Sequence, residues 1–178
     1  YLAVISCILS FFCGLILGLM SISHNRIIKY CSMALLNIIR GMPLLMVIFW
    51  MYFLLPAFMG RTVSESWTVI MALTLFTSAY MSQIVKAGVE GIPKGQTEAG
   101  LSTGLPMWQV MVYIVLPQGL RNMIPSFVNQ FVSMIKDTSL AFIVGVSELT
   151  HVATQINNRT IIYPTEIFFF IAVIYFII

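Results

Sequence analysis

Charge is what this sequence has least of. Nine Lys or Arg and six Asp or Glu make up 8% of its 178 residues, where a soluble globular domain carries about 25%. So few charges cannot coat a water-facing surface of this size. With 60% hydrophobic residues and a mean hydropathy of +0.98, the composition excludes a soluble enzyme, a disordered segment and a nucleic-acid binder. The net charge of +3 is too small to imply an acidic partner. Cysteine is sparse as well. Cys7, Cys13 and Cys31 lie in apolar stretches with no C-x-x-C pair and no neighbouring His, so they read as small buried hydrophobes and not as metal ligands. What is abundant is Phe, with thirteen, and Met, with twelve. The chain is an integral membrane protein. It opens at Tyr1 and stops at Ile178 inside an apolar run, which reads as a segment of a longer chain trimmed at both ends.

A helix needs about 20 mainly apolar residues to cross a bilayer, and the sequence offers five candidates: Leu2 to Ile22, Cys31 to Phe58 (interrupted by Arg40 and Pro43), Trp67 to Val89, Ile124 to Val146, and a run from Pro164 to Ile178. These runs are too long for strands, and only helices or closed barrels span membranes. The expected fold class is therefore all-α, a polytopic transmembrane helical bundle. Arg26, Lys29, Lys86, Lys94 and Arg121 fall in the first and third connections, against Arg61 and Arg159 in the others. The positive-inside rule then puts the first and third connections in the cytoplasm. His24 and His151 stand alone in loops.

The third connection is unusual. It is too polar to span a membrane, and Gly91-Ile92-Pro93, Leu105-Pro106 and Leu116-Pro117 punctuate it. Between the first two marks, residues 94–104 allow a short helix that Gly104 would end, and Pro106 suits the first turn of the next helix. Gly95, Ala99, Gly100, Ser102 and Gly104 leave this helix thinly clad, so its backbone could come close to another surface. From Glu98 the chain reads Glu-Ala-Gly, three residues, Gly104, nine residues, then Ile114-Val115-Leu116-Pro117.

That spacing resembles the signature of the membrane-spanning subunits of ABC importers, Glu-Ala-Ala, three residues, Gly, nine residues, Ile-x-Leu-Pro. Only Gly100 departs from it. Arg40-Gly41-Met42-Pro43-Leu44-Leu45, the aromatic tract Phe49–Phe53, Leu55-Pro56, Ala79-Tyr80, Leu116-Pro117-Gln118, Asn129-Gln130 and Lys136-Asp137-Thr138-Ser139-Leu140 are similar to polar amino acid permeases of that class. Met46–Trp50 looks most like permeases for glutamate and aspartate. The resemblance implies one type I importer transmembrane domain over residues 1–178, with residues 94–104 as a cytoplasmic coupling helix. It implies ABC ATPase subunits, a second permease subunit, identical or homologous, and an extracytoplasmic amino-acid-binding protein as partners. It places the chain as a multi-pass protein of the bacterial cytoplasmic membrane. The chain has no G-x-x-x-x-G-K-[S/T] phosphate loop. ATP and Mg would be bound by the partner ATPase, with no cofactor and no catalytic residue here. Gly95, Glu98, Ala99, Gly100, Gly104, Leu116 and Pro117 are the expected ATPase-coupling residues.

Polar groups inside apolar spans are costly and tend to mark function. At 100° per residue, Asn129, Ser133, Lys136 and Asp137 form one stripe on the fourth span, and Val128, Phe131, Ile135 and Phe142 form another. Ser139 continues the polar run. A free amino acid carries a carboxylate and an ammonium, so Lys136 could meet the first and Asp137 the second, or both could pair with other helices. Tyr80, Gln83 and Ala87 share a face of the third span. Gln83 stands where many relatives have Glu, which favours acidic or neutral cargo over basic cargo. The expected pathway residues are thus Tyr80, Gln83, Asn129, Ser133, Lys136, Asp137 and Ser139. Arg40 reads as snorkelling to the interface. An ion-coupled secondary transporter, with its inverted repeats and broken helices, is the alternative.

Overall fold

The computed structural model describes residues Tyr1–Ile178. Every element is helical: α1 Leu2–Ser21, α2 Arg26–Arg40, α3 Leu44–Met59, α4 Glu65–Glu90, α5 Lys94–Ser102, α6 Met107–Gln109, a π-helical segment Val110–Val115, α7 Leu116–Asp137, a 3-10 segment Thr138–Val144, α8 Leu149–Thr160 and α9 Pro164–Ile177. The chain divides into two compact units. One gathers Tyr1–Ile8, Met42–Phe76 and Phe131–Ile178, the other Leu9–Gly41 and Thr77–Gln130.

The third and fifth expected spans match α4 and α9 closely, and α1 covers the first. By length and composition α1 and α4 alone can cross a membrane, and two further helix pairs meet the same test only when joined across a break. The second span is not one helix. Gly41 closes α2, its N–H donating to the Asn37 carbonyl at 3.0 Å and the Ile38 carbonyl at 3.2 Å. Pro43 then has no N–H to continue the ladder and biases Met42 away from helix, so α3 starts afresh at Leu44. The fourth span begins earlier than hydropathy indicated, because Leu116–Arg121 is helical despite its polarity, and it passes into 3-10 turns at Thr138. The expected loop after it is mostly α8, so His151 sits on a helix with Gln155 Nε2 2.8 Å from its Nε2. Cys13 and Cys31 are exposed, not buried.

In the first unit, Leu2, Leu44, Val47, Ile48, Val69, Ile70, Ala72, Leu73, Met134, Ala141, Val144 and Val146 form a continuous core. Lipid tails are as apolar as these side chains, so close packing and hydrogen bonds hold such helices together more than water exclusion does. Glu148 supplies the strongest polar tie. Its carboxylate accepts from the N–H of Thr150 at 2.7 Å and of His151 at 2.6 Å, capping α8. The Tyr175 hydroxyl on α9 donates to the same carboxylate at 3.2 Å.

The second unit is built on absent side chains. A Cβ at Gly18 would lie 2.6 Å from Val85 Cβ and 2.9 Å from the Ser82 carbonyl, and one at Gly14 would lie 3.1 Å from the Ser78 carbonyl. The C-terminal half of α1 therefore presses backbone to backbone on α4, as small-xxx-small faces do in membranes. Gly119 meets the Gly88 carbonyl in the same way, at 3.1 Å from its would-be Cβ, and Met123 folds over Gly88. Phe11 and Phe127 close the unit edge to face, with ring centroids 5.3 Å apart.

Candidate functional site

The short helix α5 follows from its punctuation. Gly91 caps α4 by donating to the Ala87 carbonyl at 2.8 Å, and Pro93 starts α5 with extended dihedrals. Ser102 Oγ and Thr103 Oγ1 fold back onto the Ala99 and Gly100 carbonyls at 2.8 and 2.7 Å. Gly104, at φ +84°, ends the helix in the left-handed region that suits glycine. The helix thus ends at Ser102, two residues short of the expected limit.

Gly100 is the one buried residue of α5. A Cβ there would stand 2.7 Å from Ile114 Cδ1 and 2.9 Å from Val110 Cγ2. The missing side chain therefore faces the chain's own π-helical segment. This contact explains the spacing in physical terms, since the Ile that opens Ile114–Pro117 lands on Gly100. The wider π turn precedes Pro117, whose ring would crowd the Tyr113 carbonyl in a regular α-helix. Gln118 Nε2 completes the clasp by donating to Gln96 Oε1 at 3.2 Å and to the Ile114 carbonyl at 2.8 Å. Gly95, Glu98, Ala99 and Gly104 point away and are exposed, Leu116 is half-buried, and Pro117 is exposed.

A cavity of about 400 Å³ opens between α4 and α7 in the second unit, lined by Gln83, Ile84, Ala87, Gly88, Gly91, Asn122, Met123 and Ser126. Of the expected pathway residues only Gln83 lines it. Tyr80 is half-buried one turn earlier, and Asn129 is exposed on α7. In the first unit Ser133 and Lys136 are exposed, while Asp137 and Ser139 are half-buried. Lys136 and Asp137 diverge as helical neighbours must. Arg40 bonds along its own helix, with Nη2 donating to Asn37 Oδ1 at 2.5 Å and Nε to the Leu36 carbonyl at 3.4 Å. Asn122 and Ser126 escaped the sequence reading. Their signal was the i, i+4, i+7 spacing that joins Asn122 and Ser126 to Asn129 on one helix face.

A bundle of apolar helices with the short polar α5 braced on its own π-helical turn defines a polytopic membrane protein with a rigid helical projection. Residues 10–178 match the family described as binding-protein-dependent transport system inner membrane component. The chain is 42% identical over 178 residues to the probable glutamine ABC transporter permease protein GlnP of Bacillus subtilis, covering 99% of this chain and 81% of that one. It is 31% identical over 172 residues to the glutamate/aspartate import permease protein GltK of Escherichia coli O6:H1, covering 93% and 76%. Among solved structures, an amino acid ABC transporter crystallised with histidines superposes with a TM-score of 0.90 at 31% identity, over 99% of this chain and 81% of that one. The MetNI methionine ABC transporter, at 18% identity and a TM-score of 0.79, shares the fold.

The chain belongs to this permease family, as a polar amino acid ABC transporter permease subunit. Membership of the family sets aside the ion-coupled alternative.

Proposed function

We propose that this chain forms one half of the conduit of an ATP-driven importer in the bacterial cytoplasmic membrane, carrying a polar amino acid with a neutral or acidic side chain. Glutamine and its acidic counterparts glutamate and aspartate are the cargo, and arginine is not. A second permease subunit completes the conduit, paired ATPases bind ATP and Mg, and an extracytoplasmic binding protein delivers the amino acid. One observation carries the mechanism: α5 is fixed to its own chain through Gly100, Ile114 and Gln118 while Gly95, Glu98, Ala99 and Gly104 stay exposed. A rigid handle with a bare outer face is what a moving motor can grip. ATP binding closes the ATPases, α5 moves with them, and the attached helices reorient to open the other side.

The cargo reading rests on Gln83. Its uncharged amide at the α4–α7 cavity, beside Asn122 and Ser126, can donate to and accept from a side-chain amide or carboxyl group but offers no charge to a guanidinium. The test is uptake of radiolabelled amino acids into vesicles holding the full-length permease with its partner subunits. ATP-dependent accumulation of glutamine or glutamate, with no competition from arginine, is expected. Arginine uptake at equal rate would overturn the cargo reading, and uptake indifferent to ATP would overturn the mechanism. Replacing Glu98 or Gly104 with Trp should leave ATP hydrolysis running while uptake stops.

A further inference from the structure

The turn from α1 into α2 carries cations without a counter-charge. No Asp or Glu occurs before Glu65, yet Ile22, Ser23, His24, Arg26, Lys29 and Tyr30 line an open polar cavity of about 470 Å³. The turn itself is ordered. Asn25 Oδ1 accepts from the N–H groups of Ile27 at 2.9 Å and Ile28 at 3.4 Å, and Ser23 Oγ accepts from the Asn25 N–H at 3.3 Å.

The helix that follows has three faces. Ser32, Leu36 and Ile39 are buried against the unit. Arg26, Lys29, Asn37 and Arg40 share a polar face by their 100° spacing. Ile27, Cys31, Leu35 and Ile38 form an apolar stripe that is exposed, with Ile27 at 75% and Ile38 at 62%. A helix with one apolar side and a basic opposite side lies in a membrane interface. Tyr30, exposed at the same end, is the residue type that anchors at headgroup level.

We propose that this turn is a binding site for anionic phospholipid, with Arg26 and Lys29 holding the phosphodiester, His24 beside them, and the α2 stripe lying on the acyl chains. The argument is charge complementarity: uncompensated cations stand at the end of an apolar stripe, on the side where positive residues collect and anionic headgroups face them. It rests on the membrane placement of the chain but not on its cargo or its coupling to ATP.

The test is native mass spectrometry of the full-length permease with its partner subunits, titrated with phosphatidylglycerol. Each cation near an anionic surface contributes about fivefold in affinity, so R26Q/K29Q should weaken binding about 25-fold. R61Q, outside the cluster, should bind as the parent does. The charge-preserving swap R26K/K29R should also retain binding, which separates loss of charge from loss of fold. Undiminished binding by R26Q/K29Q overturns the proposal. So does displacement of the lipid by millimolar inorganic phosphate, which would mark a site for soluble anions, or loss of an ATPase subunit in place of lipid, which would mark a protein contact. Transport is not the readout, so failure here leaves the proposed function standing.

Discussion

Gly100 offers the sharpest perturbation because its surroundings can be weighed atom by atom. In G100A the new methyl group would stand 2.7 Å from Ile114 Cδ1 and 2.9 and 3.1 Å from the two Val110 methyls. Ile114 Cδ1 is the far end of a flexible side chain and can swing aside, but the buried, β-branched Val110 has to give by a few tenths of an ångström. Alanine also gains about 1 kcal/mol over glycine in a helix. The two effects nearly offset, so G100A should change stability by less than about 1 kcal/mol and leave transport intact. G100L adds three more carbons where only one could be fitted. Overpacking of this kind costs about 1–3 kcal/mol and would prise α5 from the π-helical segment. A melting shift of about 4–8 °C follows for a loss near 2 kcal/mol in a chain of this size. In vesicles, G100L should hydrolyse ATP with reduced uptake, and adding I114A should restore part of both stability and uptake, since it vacates the space the leucine needs. If G100L melts and transports like the parent, or if I114A worsens it, then the Gly100–Ile114 contact does not brace α5.

Three further outcomes follow. K136M, which removes an exposed charge on α7, should assemble normally by size-exclusion chromatography yet abolish uptake if Lys136 meets the cargo carboxylate. Q83E should let arginine compete at least tenfold better in uptake assays, because it puts a carboxylate at the α4–α7 cavity, where a charge-assisted hydrogen bond is worth about 1.5–3 kcal/mol. E148A strips α8 of both capping bonds and of the Tyr175 tie. Capping loss alone costs about 0.5–2 kcal/mol, so amide hydrogen exchange should accelerate across Leu149–Thr160 and not across α4.

Much of the fold was legible because hydropathy and punctuation are local. The starts of α4 and α9, the left-handed end at Gly104 and the short helix between Pro93 and Gly104 were all written in neighbouring residues. Long apolar runs misled where a local breaker outranked them, as Gly41-Met42-Pro43 did by splitting the second span. Leu116–Arg121 and α8 misled in the opposite sense, being polar enough to read as loop while packing keeps them helical. The role of Gly100 was illegible because its contact lies ten and fourteen residues away. At the candidate conduit, Gln83 was found through its residue type. Asn122 was missed because it fell in the segment read as connection, and Ser126 because the polar stripe on the fourth span was traced only from Asn129 onward. The Gly14–Gly18 face had a visible signature in Gly-x-x-x-Gly, but only the coordinates pair it with Met81 and Val85.

The glycine seams leave the C-terminal half of α4 a single direction in which it can diversify. Toward α1, positions 78, 81, 82 and 85 abut bare main chain, and position 88 is occupied by Met123. Any enlargement there breaks the scaffold before it alters what is carried. Of the α4 residues that border the cavity, Gln83, Ile84, Ala87 and Gly88, only the first three lie off the glycine seams. A mutant library selected for growth on a new nitrogen source should accumulate its hits on that narrow strip, while lineages that change at 14, 18 or 88 should disappear.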